Sequence, residues 1–195
     1  MQMSYNKPPE LINFEITFDA GYGRCMAKRT FRPTIGDDYI YTIWWYTKGF
    51  PSIVFPLTVN REVIAVKEFR HGIVDFSLEL PGGLPTHQEG ETLEEVARRE
   101  LQEETGYIAG NIIKLTCDPW VETQSINLRF YPFLALNCRL ASKPVSEETV
   151  ISETILIPLE EWYRKIFNGE IVCSTTITHS LLVLPHLLKE GLRFK

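Results

Sequence analysis

An α/β (α+β) protein is predicted: a three-layer α/β/α sandwich around a mixed sheet, preceded by a small antiparallel sheet. Three observations point there. Runs rich in β-branched and aromatic residues alternate with turns through most of the chain. One sharply punctuated helix sits between strands in the middle. A further helical stretch closes the sequence. With 195 residues, 44% of them hydrophobic, the chain can bury one sizeable core beside an N-terminal extension.

Taken in order, LINFEITFD, RCMAKRTFRP and DDYIYTIWWYT predict about three antiparallel strands between Leu11 and Thr47, with breaks at Gly21, Gly23, Gly36 and Asp37. Residues 1–48 are expected to form this extension and 49–195 the main domain. Trp44, Trp45 and Tyr46 give aromatics to both faces of the last strand. So small a sheet cannot bury both faces alone, so the aromatic face suggests a partner subunit or a flat ligand.

SIVFPLTV and VIAVKEFR flank Asn60-Arg61-Glu62 as a hairpin, and Pro56 argues for an edge or a bulge. DFSLELP is the next strand and delivers the chain to Gly82-Gly83. Strands are also expected at Asn111–Cys117, Leu128–Cys138 and Ile151–Leu159. Helices are expected at Glu160–Phe167 and Ser174–Lys189, the second kinked or interrupted by Pro185.

The net charge of −5 argues against a general nucleic-acid binder. No run is apolar enough to span a membrane, and the opening MQMSYNKPPE has no signal-peptide core. Cys25, Cys117, Cys138 and Cys173 are scattered without a CxxC pair, as expected of reduced thiols in a cytoplasmic protein.

The central stretch carries the chemistry. Thr92 and Glu95 have capping-box spacing, and Gly106 suits the left-handed residue past a helix end, so a helix is drawn over Leu93–Thr105. At roughly 100° per residue, Leu93, Val96, Ala97 and Leu101 share one arc. Glu94, Glu95, Arg98 and Gln102 fall on the other. Glu100 and Glu104 land within the apolar arc and Glu103 at its edge, so three carboxylates are expected to point inward. Like charges at i, i+4 repel, and a buried unpaired carboxylate is strongly unfavourable. A cation resolves this, and oxygen-only ligands favour Mg²⁺ or Mn²⁺.

The run Arg99-Glu100-Leu101-Gln102-Glu103-Glu104-Thr105-Gly106-Tyr107, with Glu91 ahead of it, resembles the Nudix box, G-x5-E-x7-R-E-U-x-E-E-x-G-U with U bulky and apolar. One departure stands out. Pro85 occupies the glycine place, and the natural equivalent, Gly83, leaves seven residues between itself and Glu91 instead of five. This reads as a two-residue insertion in the loop Leu84–Gly90. The flanking phrases Val66-Lys67-Glu68-Phe69-Arg70, Leu78-Glu79-Leu80-Pro81-Gly82-Gly83 and Leu156-Ile157-Pro158-Leu159-Glu160-Glu161 are similar to the ADP-ribose pyrophosphatase branch of that family.

The resemblance implies a Nudix-type sandwich that hydrolyses the pyrophosphate of a nucleoside diphosphate linked to another group. ADP-ribose is the first choice of substrate, and another nucleotide sugar such as GDP-mannose the alternative. It implies metal ligands at Glu100, Glu103, Glu104 and the Gly82 carbonyl, with Gly83, Glu91, Arg99 and Gly106 structural. It implies nucleotide-sugar contacts at Arg70 and Glu79, and a homodimer reached through the N-terminal sheet, where Trp44 and Trp45 stand as a stacking wall. Arg99 is expected to point away from the acids and orient Glu91 by a bidentate pair. The catalytic base stays open between Glu147, Glu148 or Glu153 and a helix acid, Glu100 or Glu103. A non-catalytic ligand-binding module is the alternative of another class. Such modules usually lose box acids, and here every box acid is present.

Overall fold

The computed structural model describes residues 7–191 other than 22, 48, 87–89, 117, 122–124, 146–151 and 190. They form two compact units, one of residues 1–50 with 121–129, the other of 51–120 with 130–195.

The first unit is a meander of β1 (Glu10–Asp19), β2 (Arg24–Arg32) and β3 (Tyr39–Tyr46), antiparallel in the order β1-β2-β3. Ala27, Cys25 and Ile43 supply its buried side chains. β1 is exposed along its whole length in the single chain, including Leu11, Phe14, Ile16 and Phe18.

The second unit holds β4 (Ser52–Thr58), β5 (Glu62–Arg70), β6 (Asp75–Glu79), β7 (Gly82–Gly83), α1 (Leu93–Thr105), β8 (Tyr107–Ile108) and β9 (Asn111–Lys114). After β10 (Trp120–Val121) come β11 (Arg129–Leu140), β12 (Ser152–Pro158), α2 (Leu159–Phe167) and α3 (Ser174–Lys189). The sheet is mixed. β4 runs parallel to β11, whereas β5 is antiparallel to β4, β6 and β12.

Side-chain alternation divides the core in two. Phe55, Leu57, Val63, Ala65 and Ile157 pack with Trp162, Tyr163, Val183 and Leu187 of α2 and α3. Val54, Ile64, Phe133 and Ala135 pack with Ala97 and Leu101 of α1. The helices thus cover both faces, as the α/β/α expectation requires. Among the described residues no helix is long and apolar enough to cross a membrane.

Pro56 sits in a central strand, not at an edge, but beside the expected irregularity: its pairing with Ala135 of β11 is the last before the register shifts to Cys138 and Thr58. On the opposite side β4 meets β7 at Ser52 and Ile53 and β5 only at Leu57, so the missing N–H falls in the gap between them. One detail differs from expectation. β9 stops at Lys114, short of the expected strand end, because its ladder to β11 ends there. α3 is not interrupted at Pro185, one of the two outcomes expected there, and runs on to Lys189. The carbonyl that Pro185 strands is that of Leu181, an exposed residue whose carbonyl can turn to water.

Candidate active site

The site is built on α1 and the loop that precedes it. Thr92 caps the helix, its hydroxyl accepting the Glu95 N–H at 3.2 Å while Glu95 accepts the Thr92 N–H at 2.8 Å. Gly106 ends it in the left-handed region at φ 78°, and its carbonyl accepts the Ala141 and Ser142 N–H groups. A Cβ there would lie 2.3 Å from the Ser142 carbonyl oxygen, so glycine is required by conformation and by space. Ser52 of β4 donates to the Leu93 carbonyl at 2.9 Å and fixes the start of the helix to the sheet.

This docking presses Glu100 and Glu104 against Gly82-Gly83. Glu104 accepts the Gly82 N–H at 3.1 Å. The Glu100 carboxylate occupies the space a side chain at Gly83 would need, within 2.4–2.5 Å of an added Cβ. Burial pushes the Glu104 carboxyl up to about 8, with the Glu100 charge reinforcing it. Burial also raises Glu100, against the pull of Arg99.

Two expectations are corrected here. Glu103 does not point inward. Its side chain is 47% exposed and pairs with Arg99 one turn earlier, at 2.8 Å. It lies at the edge of the apolar arc, so a cation at i−4 suffices to hold it outside. Nor does Arg99 point away from the acids. Its Nε donates to Glu91 at 2.8 Å, one terminal nitrogen to both Glu100 and Glu103 at 2.8 Å, and the other to the Leu84 carbonyl at 2.9 Å. The contact with Glu91 is therefore single, because the rest of the fork is spent on three other acceptors. Burial alone would lower the Arg99 pKa, but these carboxylates raise it. Glu91 in turn accepts the backbone N–H and the hydroxyl of Thr86 at 2.7 and 2.9 Å, and Arg99 holds its carboxyl below the usual range. Arg99 and Glu91 thus pin both described ends of the Leu84–Gly90 loop, while 87–89 lie outside the described residues.

A second cluster lies on β5 and β6. Arg70 grips Glu79 with both oxygens, at 3.0 and 2.7 Å, and also holds Glu68 at 3.1 Å. Burial would raise Glu79, yet Arg70 brings it below the ordinary carboxylate value. Glu68 was missed by the sequence reading. Its signal was the two-residue spacing from Arg70, which puts both side chains on one strand face. Of the candidate bases, Glu153 pairs with Lys67, next to the Ser152–Glu68 and Thr154–Val66 pairs. Alternation turns Glu153 to the α2–α3 face, away from α1. Glu147 and Glu148 lie outside the described residues. Trp44 and Trp45 belong to the first unit, Trp44 exposed and Trp45 edge-on to Phe14 at 5.0 Å between centroids.

Among the described residues, no three His, Cys, Asp or Glu side chains converge closely enough to hold a metal ion as they stand. The donor set nonetheless fits a hard divalent cation. Glu100 and Glu104 offer carboxylate oxygens in a mostly buried setting that disfavours their charge.

A helix presenting carboxylates to a glycine loop, over a mixed sheet flanked by helices, defines a Nudix-fold hydrolase. The NUDIX domain family model matches residues 50–170, and the chain belongs to the Nudix hydrolase family. It is 40% identical over 148 residues to an ADP-ribose pyrophosphatase of Bacillus subtilis, covering 73% of this chain and 76% of that protein. A shorter match, 43% identical over 51 residues, links it to putative nudix hydrolase 2 of Caenorhabditis elegans, covering 26% of this chain and 22% of that one. The solved structure of an ADP compounds hydrolase superposes with a TM-score of 0.81 at 19% identity, covering 95% of this chain and 97% of the other, which shows the shared fold.

Proposed function

We propose that this enzyme hydrolyses the pyrophosphate bond of ADP-ribose, giving AMP and ribose 5-phosphate, with Mg²⁺ or Mn²⁺. The observation that carries the reading is the buried Glu100 and Glu104 pair set against Gly82-Gly83. Two carboxylates forced together in a site that resists their charge are suited to a divalent cation. The choice of substrate follows the likeness to the Bacillus subtilis ADP-ribose pyrophosphatase.

Glu100, Glu104 and, after leaving Arg99, Glu103 would hold the metal together with the Gly82 carbonyl. When bound, the metal neutralises the diphosphate and lowers the pKa of an attacking water. Arg99 and Glu91 hold the loop and the helix acids in register. Arg70 would donate to a substrate phosphate and Glu79 would accept from a sugar hydroxyl. The base that takes the water proton is one of the helix acids Glu100 and Glu103 or a residue of the Glu147–Glu148 segment. The exposed β1 and β3 side chains suit a homodimer interface, with Trp44 and Trp45 as a wall for the base.

A panel of ADP-ribose, GDP-mannose, ADP-glucose, NADH, dinucleoside polyphosphates and nucleoside triphosphates, each with Mg²⁺ and ranked by kcat/KM, tests this. ADP-ribose is expected to rank first, with AMP and ribose 5-phosphate as products. Preference for triphosphates, or failure to cleave any diphosphate-linked compound, would overturn it.

A further inference from the structure

Arg70 enters the proposed reaction already engaged. Its guanidinium is shared between two carboxylates, Glu79 at 2.7 Å and Glu68 at 3.0 Å. One positive and two negative charges leave this trio with a net charge of −1. An anionic substrate arriving at Arg70 therefore meets repulsion, and its phosphate must displace a carboxylate that is well seated.

The strand register shows where the displaced carboxylate can go. Glu68 faces Ser77 on one side and Ser152 on the other, and Val66 faces Glu79 and Thr154. Ile64, two residues further back on β5, packs with Ala97 and Leu101 of α1. Alternation thus turns Ile64, Val66, Glu68 and Arg70 toward α1. On the same face Thr154 donates to the backbone carbonyl of Glu104 at 3.5 Å. The Glu104 carboxyl is in electrostatic reach of both Glu68 and Arg70, which act on it with opposite sign. Both carboxylates meet Arg70 through both oxygens, Glu79 at 3.0 and 2.7 Å and Glu68 at 3.1 and 3.0 Å, so Glu68 is the more loosely held of the two.

We propose that Glu68 is a positioning residue with two seats. In the free enzyme it holds Arg70. In the loaded enzyme it leaves Arg70 and joins Glu104 on the divalent cation, and Arg70 keeps Glu79 while turning its released edge to the substrate phosphate. The inference rests on the metal-dependent hydrolysis proposed above. It makes cation and nucleotide-sugar binding mutually reinforcing, since each favours the same seat of Glu68. It also suppresses substrate binding before the cation is present.

The Glu68→Gln variant separates this from a merely structural role, because the two binding steps should move in opposite directions. In EDTA, where no turnover occurs, calorimetric affinity for ADP-ribose should rise about tenfold in the variant, since the competing charge on Arg70 is gone. Mn²⁺ affinity without nucleotide, read by electron paramagnetic resonance of the free ion, should fall about tenfold, since one ligand is gone. A residue that only braced the strand would weaken both. Unchanged or weaker ADP-ribose binding in EDTA overturns the proposal, as does unchanged Mn²⁺ affinity. Cleavage of ADP-ribose by the wild type with Mg²⁺ is measured alongside. If that fails, the functional reading falls while the Mn²⁺ comparison still judges Glu68. Circular dichroism checks the fold, and Glu68→Ser, which removes the carboxylate without adding bulk, gives the same two opposed shifts should the glutamine variant not fold.

Discussion

Replacing Glu104 with Gln should do two opposite things. Activity should fall by roughly 10²-fold or more, because several kcal/mol of transition-state stabilisation depend on a correctly held cation. Stability without metal should rise at alkaline pH. The Glu104 carboxyl moves from an ordinary 4.5 to about 8 on folding, so the folded state binds its proton more tightly than the unfolded state does. Its contribution is fully present below pH 4.5, declines as pH rises, and is gone above pH 8. The amide of Gln is neutral at every pH and can still accept the Gly82 N–H. At about 1.36 kcal/mol for each tenfold change in proton affinity, the variant should exceed the wild type by about 3–5 kcal/mol at pH 9 in EDTA. For a chain of this size that is a Tm rise of roughly 6–20 °C. At pH 5 the gap should shrink below about 1 kcal/mol. Saturating Mg²⁺ should restore the wild type by about 2–3 kcal/mol at a hundred times Kd and leave the variant nearly unmoved. Scanning calorimetry at both pH values, with and without Mg²⁺, measures all of this. A variant no more stable than wild type at pH 9 in EDTA would refute the reading of Glu104 as a buried charge awaiting a cation.

Further outcomes are expected elsewhere. Arg99→Lys keeps the charge but cannot reach Glu91, Glu103 and the Leu84 carbonyl at once, so kcat should drop by about 10²-fold and proteolysis within the Leu84–Gly90 loop should quicken. Burial holds the His179 imidazole down at about 3, so its stabilising neutral form is at full effect above pH 6.5 and loses ground as pH falls toward 3. In urea titrations the drop in wild-type stability from pH 7 to pH 5 should exceed that of His179→Gln by about 2 kcal/mol. Gly106→Ala should lower stability by more than about 1 kcal/mol in the same assay, and a neutral result would remove the argument from the left-handed cap. Light scattering should give about twice the 22.5 kDa chain mass, and a monomer at micromolar concentration would count against the dimer.

The parts of this molecule that were legible in the sequence are those set by local rules. Thr92, Glu95 and Gly106 bound α1 because capping is decided within one turn of helix. Alternation in Glu62–Arg70 and the run at Arg129–Leu140 announced central strands, and an acid at every fourth place of an apolar arc announced Glu100 and Glu104. What failed was whatever depended on competition between partners. A helical wheel gives the angle of Glu103 but not the pull of a cation one turn back, so an edge position resolved outward. Pro56 announced an edge or a bulge, and only the register could decide between them: the strand is central, its register shifts just after Pro56, and the ladder on the other side has a gap.

Arg99 and Arg70 show the same limit from the other side. Each is an arginine whose sequence neighbourhood offers several carboxylates, and the sequence suggested one partner, Glu91, for Arg99 and none for Arg70. Folded, Arg99 serves Glu91, Glu100, Glu103 and a loop carbonyl, while Arg70 serves Glu68 and Glu79. A guanidinium carries five donors in a fixed plane, so in a crowded acidic site it becomes a junction. The two junctions have different consequences. Arg99 ties the helix start at Glu91 and the loop carbonyl of Leu84 to Glu100, with Glu103 as the exposed partner proposed to leave it. Arg70 ties together Glu79, held at 3.0 and 2.7 Å, and the looser Glu68, which shares a strand face with Arg70 toward α1 and is the partner proposed to change seats. The proposed exchange at Arg70, over a loop held by Arg99, would let a site with an excess of negative charge admit the diphosphate proposed as its substrate.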